Sequence, residues 1–362
     1  MSNTKLKTIV CGTTFGQFYC EALTRLTDYV SFNGILSTGS ERSKKCAEKY
    51  GVKCYTSIDD LDSDISLACV VARSSVLGGK GTNIALDLLS KGINVIQEQP
   101  VHFKDIEECI KVAKKNKVFY CVGDLYKFLP HIRKFIDYSK EICKISKPLY
   151  LDIGSASQVL YPMVEVLSEA LPSLRPFKID SVNKNSQPFH FVHGSINSIP
   201  TLFQIHNEVN PKEPDNYMHY LHKITIITSS GRLCLEDTQG PVRWHSKMHV
   251  PLNSNMLISS NSADVSSKEL DTPCSVEITT CEERSFKSVF FDEWIYAISE
   301  NILAFIKDIQ SNNVVSFNKY YTKLILNAKI WQQITSELGF PVLINPDDVS
   351  LIDIKKIQNT LN

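Results

Sequence analysis

Along the first third of the chain, short apolar runs alternate with longer stretches in which apolar residues return every third or fourth position. The runs predict buried strands and the slower return predicts amphipathic helices. The strand candidates are residues 7–12, 32–36, 67–72, 93–96 and 118–122. Between them lie helical faces made by Phe18, Ala22, Leu23 and Leu26, by Ile84, Ala85, Leu88 and Leu89, and by residues 106–115. Strands joined through helices run parallel, and an open parallel sheet binds its ligand beyond the carboxyl ends of the strands. The pattern then changes. Residues 127–142 read as a helix, 149–153 as a strand, and 186–238 alternate with a period of two, as in an antiparallel meander. Residues 245–273, rich in Ser and Asn, form a surface excursion, and the stripe of Trp294, Ile295, Ile298, Ile302, Phe305 and Ile306 predicts a core helix before a last helix over 317–338. The expectation is an α/β chain. A Rossmann domain with a parallel sheet occupies residues 1–126, and an α+β domain with a large, mainly antiparallel open sheet occupies 127–362.

Composition narrows the function classes without choosing among them. A chain of 362 residues favours two domains. Lys+Arg and Asp+Glu both total 39, so charge makes no case for nucleic acid or an anionic membrane. The polar start lacks the apolar core of a signal peptide and no apolar stretch has membrane length, so a cytoplasmic address is expected. The 11 cysteines include no C-x-x-C pair. They read as reduced thiols, Cys11, Cys69 and Cys121 among them, and no metal site is expected.

Chemistry gathers at the predicted strand ends. Gly12, Thr13, Thr14, Phe15 and Gly16 stand at the first strand-to-helix turn, where a dinucleotide fold places G-x-G-x-x-G. Only Gly16 keeps a fingerprint position, the first two falling on Cys11 and Thr13. After the second strand, where NAD enzymes carry an acidic residue, the chain has Ser37, Ser40 and Arg42. Hydroxyls and a guanidinium suit a 2′-phosphate, so NADPH is the expected cofactor. Arg73, Ser74 and Ser75 end the next strand, followed by a glycine-rich helix start over 78–82. Glu98, Gln99 and Pro100 follow the strand after that, and Tyr126 lies just past the last one. His190, His193, His206, His219 and His222 fall in or beside the meander, without the spacing of a metal site.

The Rossmann pattern, the Glu-x-Pro segment and the late helices together resemble the glucose-fructose oxidoreductase / inositol dehydrogenase (Gfo/Idh/MocA) superfamily. Within it, residues 11–17, 73–82, 92–100, 231–236, 240–244 and 331–334 are similar to the thiazolinyl imine reductases of siderophore biosynthesis, of the yersiniabactin and pyochelin type. The resemblance implies NADPH-dependent reduction of a thiazoline C=N to a thiazolidine, on an intermediate held by a carrier domain of a nonribosomal peptide synthetase. Glu98 and Pro100 are also expected to contact the cofactor. The family's two proposed acids fall on Tyr126 and on Gln99, where a histidine is usual; the wider superfamily usually has lysine there. An amide does not titrate near neutral pH, so Tyr126 is the expected proton donor and Gln99 a hydrogen-bonding positioner. His102 is a possible substitute for the missing imidazole. The resemblance and the alternating strands also imply a homodimer. Two other readings stay open: a sugar or polyol dehydrogenase of the superfamily, and a protein that binds NADP without turnover.

Overall fold

The computed structural model describes residues 5–361 apart from 217, 266, 281–282 and 347–351. Its first sheet comprises β1 (Leu6–Cys11), β2 (Val30–Leu36), β3 (Lys53–Tyr55), β4 (Leu67–Val70), β5 (Asn94–Glu98) and β6 (Tyr120–Gly123). All pairings are parallel and the order is β3-β2-β1-β4-β5-β6, so the chain reverses direction across the sheet at β1 and β4. The connecting helices are α1 (Gly16–Thr24), α2 (Glu41–Tyr50), α3 (Gly81–Ser90) and α4 (Phe103–Asn116). The strand interiors Ile9, Val10, Leu67, Ala68, Val95 and Ile96 are fully buried, as continuous apolar runs between two helical layers should be.

The second part opens with α5 (Pro130–Ile145), β7 (Pro148–Ala156) and α6 (Leu160–Ala170). β8 (Phe177–Asn183), β9 (Phe189–Ile196), β10 (Ile199–His206) and the short β11 (Glu208–Val209) follow. Next come β12 (His222–Thr228), β13 (Gly231–Leu235), β14 (Val242–Ser246) and β15 (Ser275–Glu277). The large sheet has eight strands in the order β15-β14-β13-β12-β7-β10-β9-β8, antiparallel except for the β7–β10 pair. Two elements escape sequence periodicity. In α6 nine of 11 residues are buried, so no polar face marks it, and β8 is an outer strand whose short alternation breaks at Asp180 and Ser181.

After a three-residue turn, α7 (Phe286–Ser288), the chain passes through one π-helical segment, Val289–Glu293, into α8 (Trp294–Ser311) and α9 (Val314–Leu338). These late helices return to the first sheet. Ser299 on α8 donates to the Ala22 carbonyl of α1 at 3.4 Å. The outer strand β6 is closed by side chains: Tyr120 N donates to the Tyr321 hydroxyl at 3.2 Å, Val122 N to the Tyr320 hydroxyl at 3.2 Å, and Asp124 N to Asn301 Oδ1 at 3.3 Å. An unpaired sheet edge invites further strands, and here three alternate amides are satisfied by the C-terminal helices. The end of β6, where the predicted acid sits, is therefore fixed from both parts of the chain.

Candidate active site

The first turn has the form that a pyrophosphate needs. Gly12 has φ +101°, and a Cβ there would lie 2.7 Å from the Val71 carbonyl oxygen, so only glycine fits. Gln17 braces the turn by donating to the carbonyls of Thr13 at 3.1 Å and Thr14 at 3.4 Å. Phe15 occupies the N-cap of α1 without a side-chain acceptor, leaving the helix's first amides open to an anion. Beyond β2, Ser37 Oγ accepts from Gly39 N at 3.1 Å, Ser40 caps α2 by accepting from Ser43 N, and Arg42 is exposed in the first turn of that helix. Two expected contacts are used differently. Ser74 donates to the Pro100 carbonyl at 2.6 Å and Ser75 to Asp105, so both hydroxyls tie the loop after β4 to the start of α4, while Arg73 remains exposed.

At the end of β5, Glu98 accepts a hydrogen bond from Tyr19 on α1, and burial pushes its carboxyl up to about 8. Gly123 leaves room for this pair, because a Cβ there would come within 2.5 Å of the Tyr19 hydroxyl. Gln99 follows with its Oε1 buried and unpartnered. His102 caps α4, its Nδ1 accepting from Lys104 N at 3.2 Å, and so serves the helix. Asp124, only 2% exposed, accepts the Tyr126 amide at 2.8 Å through Oδ1, while Oδ2 has no partner. Burial raises this carboxyl to about 7.

Tyr126 is 6% exposed, yet its hydroxyl makes no hydrogen bond to any described residue. Burial first, and then the carboxylates of Asp124 and Glu98, push its pKa up, so the phenol keeps its proton at neutral pH. Its ring meets His222 edge-on at 4.8 Å and Trp294 at 6.2 Å. His222 Nε2 donates to the Val159 carbonyl at 3.0 Å, which leaves Nδ1 to accept from the Thr238 hydroxyl at 2.9 Å. Burial lowers its pKa to about 4, so it is a neutral wall. His206 and His219 pack edge-on with each other and tilted against Phe189, and His190 bonds Asn207.

Trp294 is the residue that sequence reading missed, because its place in an apolar helical stripe marks it as core. Its ring lies 5.9 Å from Phe15 at the glycine turn and 4.6 Å from Phe290, and its Nε1 is buried without a partner. The π-helical segment just before it is a form that often accompanies functional sites. Arg284 clamps that segment, donating to Glu293, to the Gln239 carbonyl and to His131 Nε2.

Residues 6–124 match the Gfo/Idh/MocA oxidoreductase family with its NAD-binding Rossmann fold, and residues 146–245 match the C-terminal domain of the thiazolinyl imine reductase Irp3-like family. Together they take in more than half of the chain. The chain belongs to the Gfo/Idh/MocA oxidoreductase family. No curated protein matches its sequence. Among solved structures, KijD10, a 3-ketoreductase from Actinomadura kijaniata in complex with NADP, is 11% identical with a TM-score of 0.63, over 94% of this chain and 100% of that one. UDP-N-acetylglucosamine 3-dehydrogenase GnnA from Acidithiobacillus ferrooxidans is 11% identical with a TM-score of 0.62, over 93% and 100%. GenD2 from gentamicin A biosynthesis, in complex with NAD, has the same identity and TM-score over 96% and 98%. At this identity the likeness is one of fold.

For a Gfo/Idh/MocA oxidoreductase the arrangement is uneven in what it offers. The dinucleotide edge is ready, with a cradle that a Cβ would fill and open helix amides. At and around Tyr126 stand a protonated phenol, an amide and an indole N–H, and Gln99 holds the position where the resemblance expects a lysine. Among the described residues no helix is long and apolar enough to cross a membrane.

Proposed function

We propose that the chain is an NADPH-dependent thiazolinyl imine reductase acting on a carrier-bound nonribosomal peptide siderophore intermediate. The observation that carries this reading is Tyr126, a protonated phenol on a largely buried residue, standing at the strand ends of a chain whose second part matches imine reductases. The nicotinamide supplies a hydride to the ring carbon when bound. Gly12, Thr13, Phe15 and Gly16 hold its pyrophosphate, and Ser37, Ser40 and Arg42 take the 2′-phosphate. Tyr126 gives its proton to the ring nitrogen as that nitrogen gains basicity. Gln99 orients the substrate through its free amide oxygen, and Trp294 forms an aromatic wall beside the ring.

Oxidation of a sugar hydroxyl needs a base, and neither an amide nor a protonated phenol is one at neutral pH. A carrier arm requires the site to be open at one end. Two copies pair through the outer face of the large sheet, where Tyr150, Asp152, Gln204 and Thr225 are only partly covered, and sedimentation at micromolar concentration checks for the dimer. Incubating the protein with NADPH and an aryl-thiazoline thioester mimic tests the reaction. Loss of nicotinamide absorbance together with thiazolidine formation supports it. Oxidation of sugars or polyols at ordinary enzymatic rates, with thiazolines untouched, overturns it.

A further inference from the structure

Five of the buried polar atoms without a partner belong to four neighbouring residues behind Tyr126: Asp124 Oδ2, Tyr161 Oη, Glu165 Oε1, and both Nδ2 and Oδ1 of Asn327. All four residues are at most 4% exposed. They converge from the end of β6, from α6 and from α9, and the half-buried Lys127 of the Tyr126 turn joins them. Their charges act on one another: Lys127 draws Asp124 and Glu165 down against the burial that raises both, and those carboxylates in turn hold Lys127 charged. Asn327 lies beside Glu165 and steadies its charge without a well-formed hydrogen bond.

Each such atom costs about 1–3 kcal/mol if left dry, and buried water normally bridges two to four groups of this kind. The acceptors already have Lys127 as their cation. Toward solvent, Glu169 pairs with Lys323 at 2.8 Å and Lys140 at 3.5 Å, all three side chains partly exposed, which opens a way out. The other titratable groups near the chamber, Cys121 and Tyr320, stay protonated because burial raises both.

We propose that this chamber holds ordered water and returns a proton to Tyr126 after each turnover, with Asp124 as the link. The inference rests on Tyr126 being the donor in the reaction above. The ring nitrogen takes the hydroxyl proton, leaving a phenolate. The phenolate oxygen takes a proton passed through water from the Asp124 carboxyl, and the carboxylate regains one from solvent along the water between Lys127 and Glu165. One proton enters per turnover and no other bond changes. Asp124 lies on the turn that carries Tyr126, with Oδ1 on the Tyr126 backbone amide and Oδ2 buried without a partner, and its charge acts on the Tyr126 phenol.

The test is single-turnover against steady-state kinetics for Asp124→Asn and Glu165→Gln, with Asn327→Leu as a third variant that leaves the carboxyls in place. Tyr126 starts protonated, so the first turnover should run near the wild-type rate while later ones slow by about tenfold or more and show a larger solvent deuterium effect. Equal slowing of first and later turnovers makes the chamber merely structural and overturns the relay. A high-resolution crystal structure gives an answer that does not depend on substrate. Water on Asp124 Oδ2 and Glu165 Oε1 is expected, and a dry chamber with these groups paired directly overturns the proposal even if no thiazoline is ever reduced. Failure to reduce thiazolines with water present removes the assigned reaction instead, and with it the need for a relay to Tyr126.

Discussion

Gln97 and Gln99 stand two residues apart on the same strand end and meet opposite surroundings. The fully buried Gln97 donates to the Thr82 hydroxyl at 3.1 Å and accepts from the Tyr120 hydroxyl at 2.8 Å, and Thr82 continues to Asp105 at 3.0 Å. Gln99 has a buried oxygen with nothing to bond. The first is what a folded chain does with a polar group that it needs for itself, since a satisfied network in a dry interior is rigid and stable. The second is what it does with a group held for something else. The same division separates Ser74 and Ser75, whose hydroxyls bond within the protein, from Trp294, whose Nε1 is buried without a partner.

The strongest way to break this contrast is Tyr126→Phe. Turnover should fall by about a hundredfold or more, because general acid help is of that size, while NADPH affinity is kept. A wild-type rate would remove Tyr126 from the chemistry. Next in size, Gln97→Leu should lower unfolding stability by about 1–3 kcal/mol by stranding the Tyr120 hydroxyl. Gln99→Leu should change stability by less than about 0.5 kcal/mol and lower turnover instead. Denaturant melts of the two variants decide it, and similar losses would erase the distinction between the two glutamines. Arg42→Ala should weaken NADPH binding by about tenfold with NADH nearly unchanged, since a charge-assisted phosphate contact is worth about 1.5–3 kcal/mol. Equal weakening of both cofactors, measured by fluorescence titration, would move the phosphate elsewhere. The smallest effect is expected from Gln99→His: a modest rate change with a new ionisation near pH 6 to 7, the imidazolium adding a donor below it and losing it as pH rises. A pH profile unchanged from wild type would place residue 99 away from the ring nitrogen.

Much of the strand-end geometry of the first sheet was legible because its signals are local. A glycine forced by a tight turn, a serine at a helix start and an apolar run ending at Glu98 each depend on a few consecutive residues. Tyr126 was singled out through resemblance to the family's pattern, and the structure adds that its ring is buried against His222 and Trp294. Trp294 was read as core for a sound reason, since an indole in an apolar helical stripe usually is core, and only the approach of α8 to α1 brings it beside Phe15.

Sequence alone therefore determined the two sheets in outline, the turns at the strand ends of the first sheet and the absence of a titrating group at position 99. Tertiary structure alone decided which polar groups are satisfied. Tyr321 closes β6 from 201 residues away, Tyr320 from 198 and Asn301 from 177, and the chamber behind Tyr126 is assembled from β6, α6 and α9. Periodicity reports which face of an element is buried, because burial follows the repeat of that element. It carries no record of what the buried face meets, since a hydrogen bond between distant residues is set by packing and leaves no repeat in either segment.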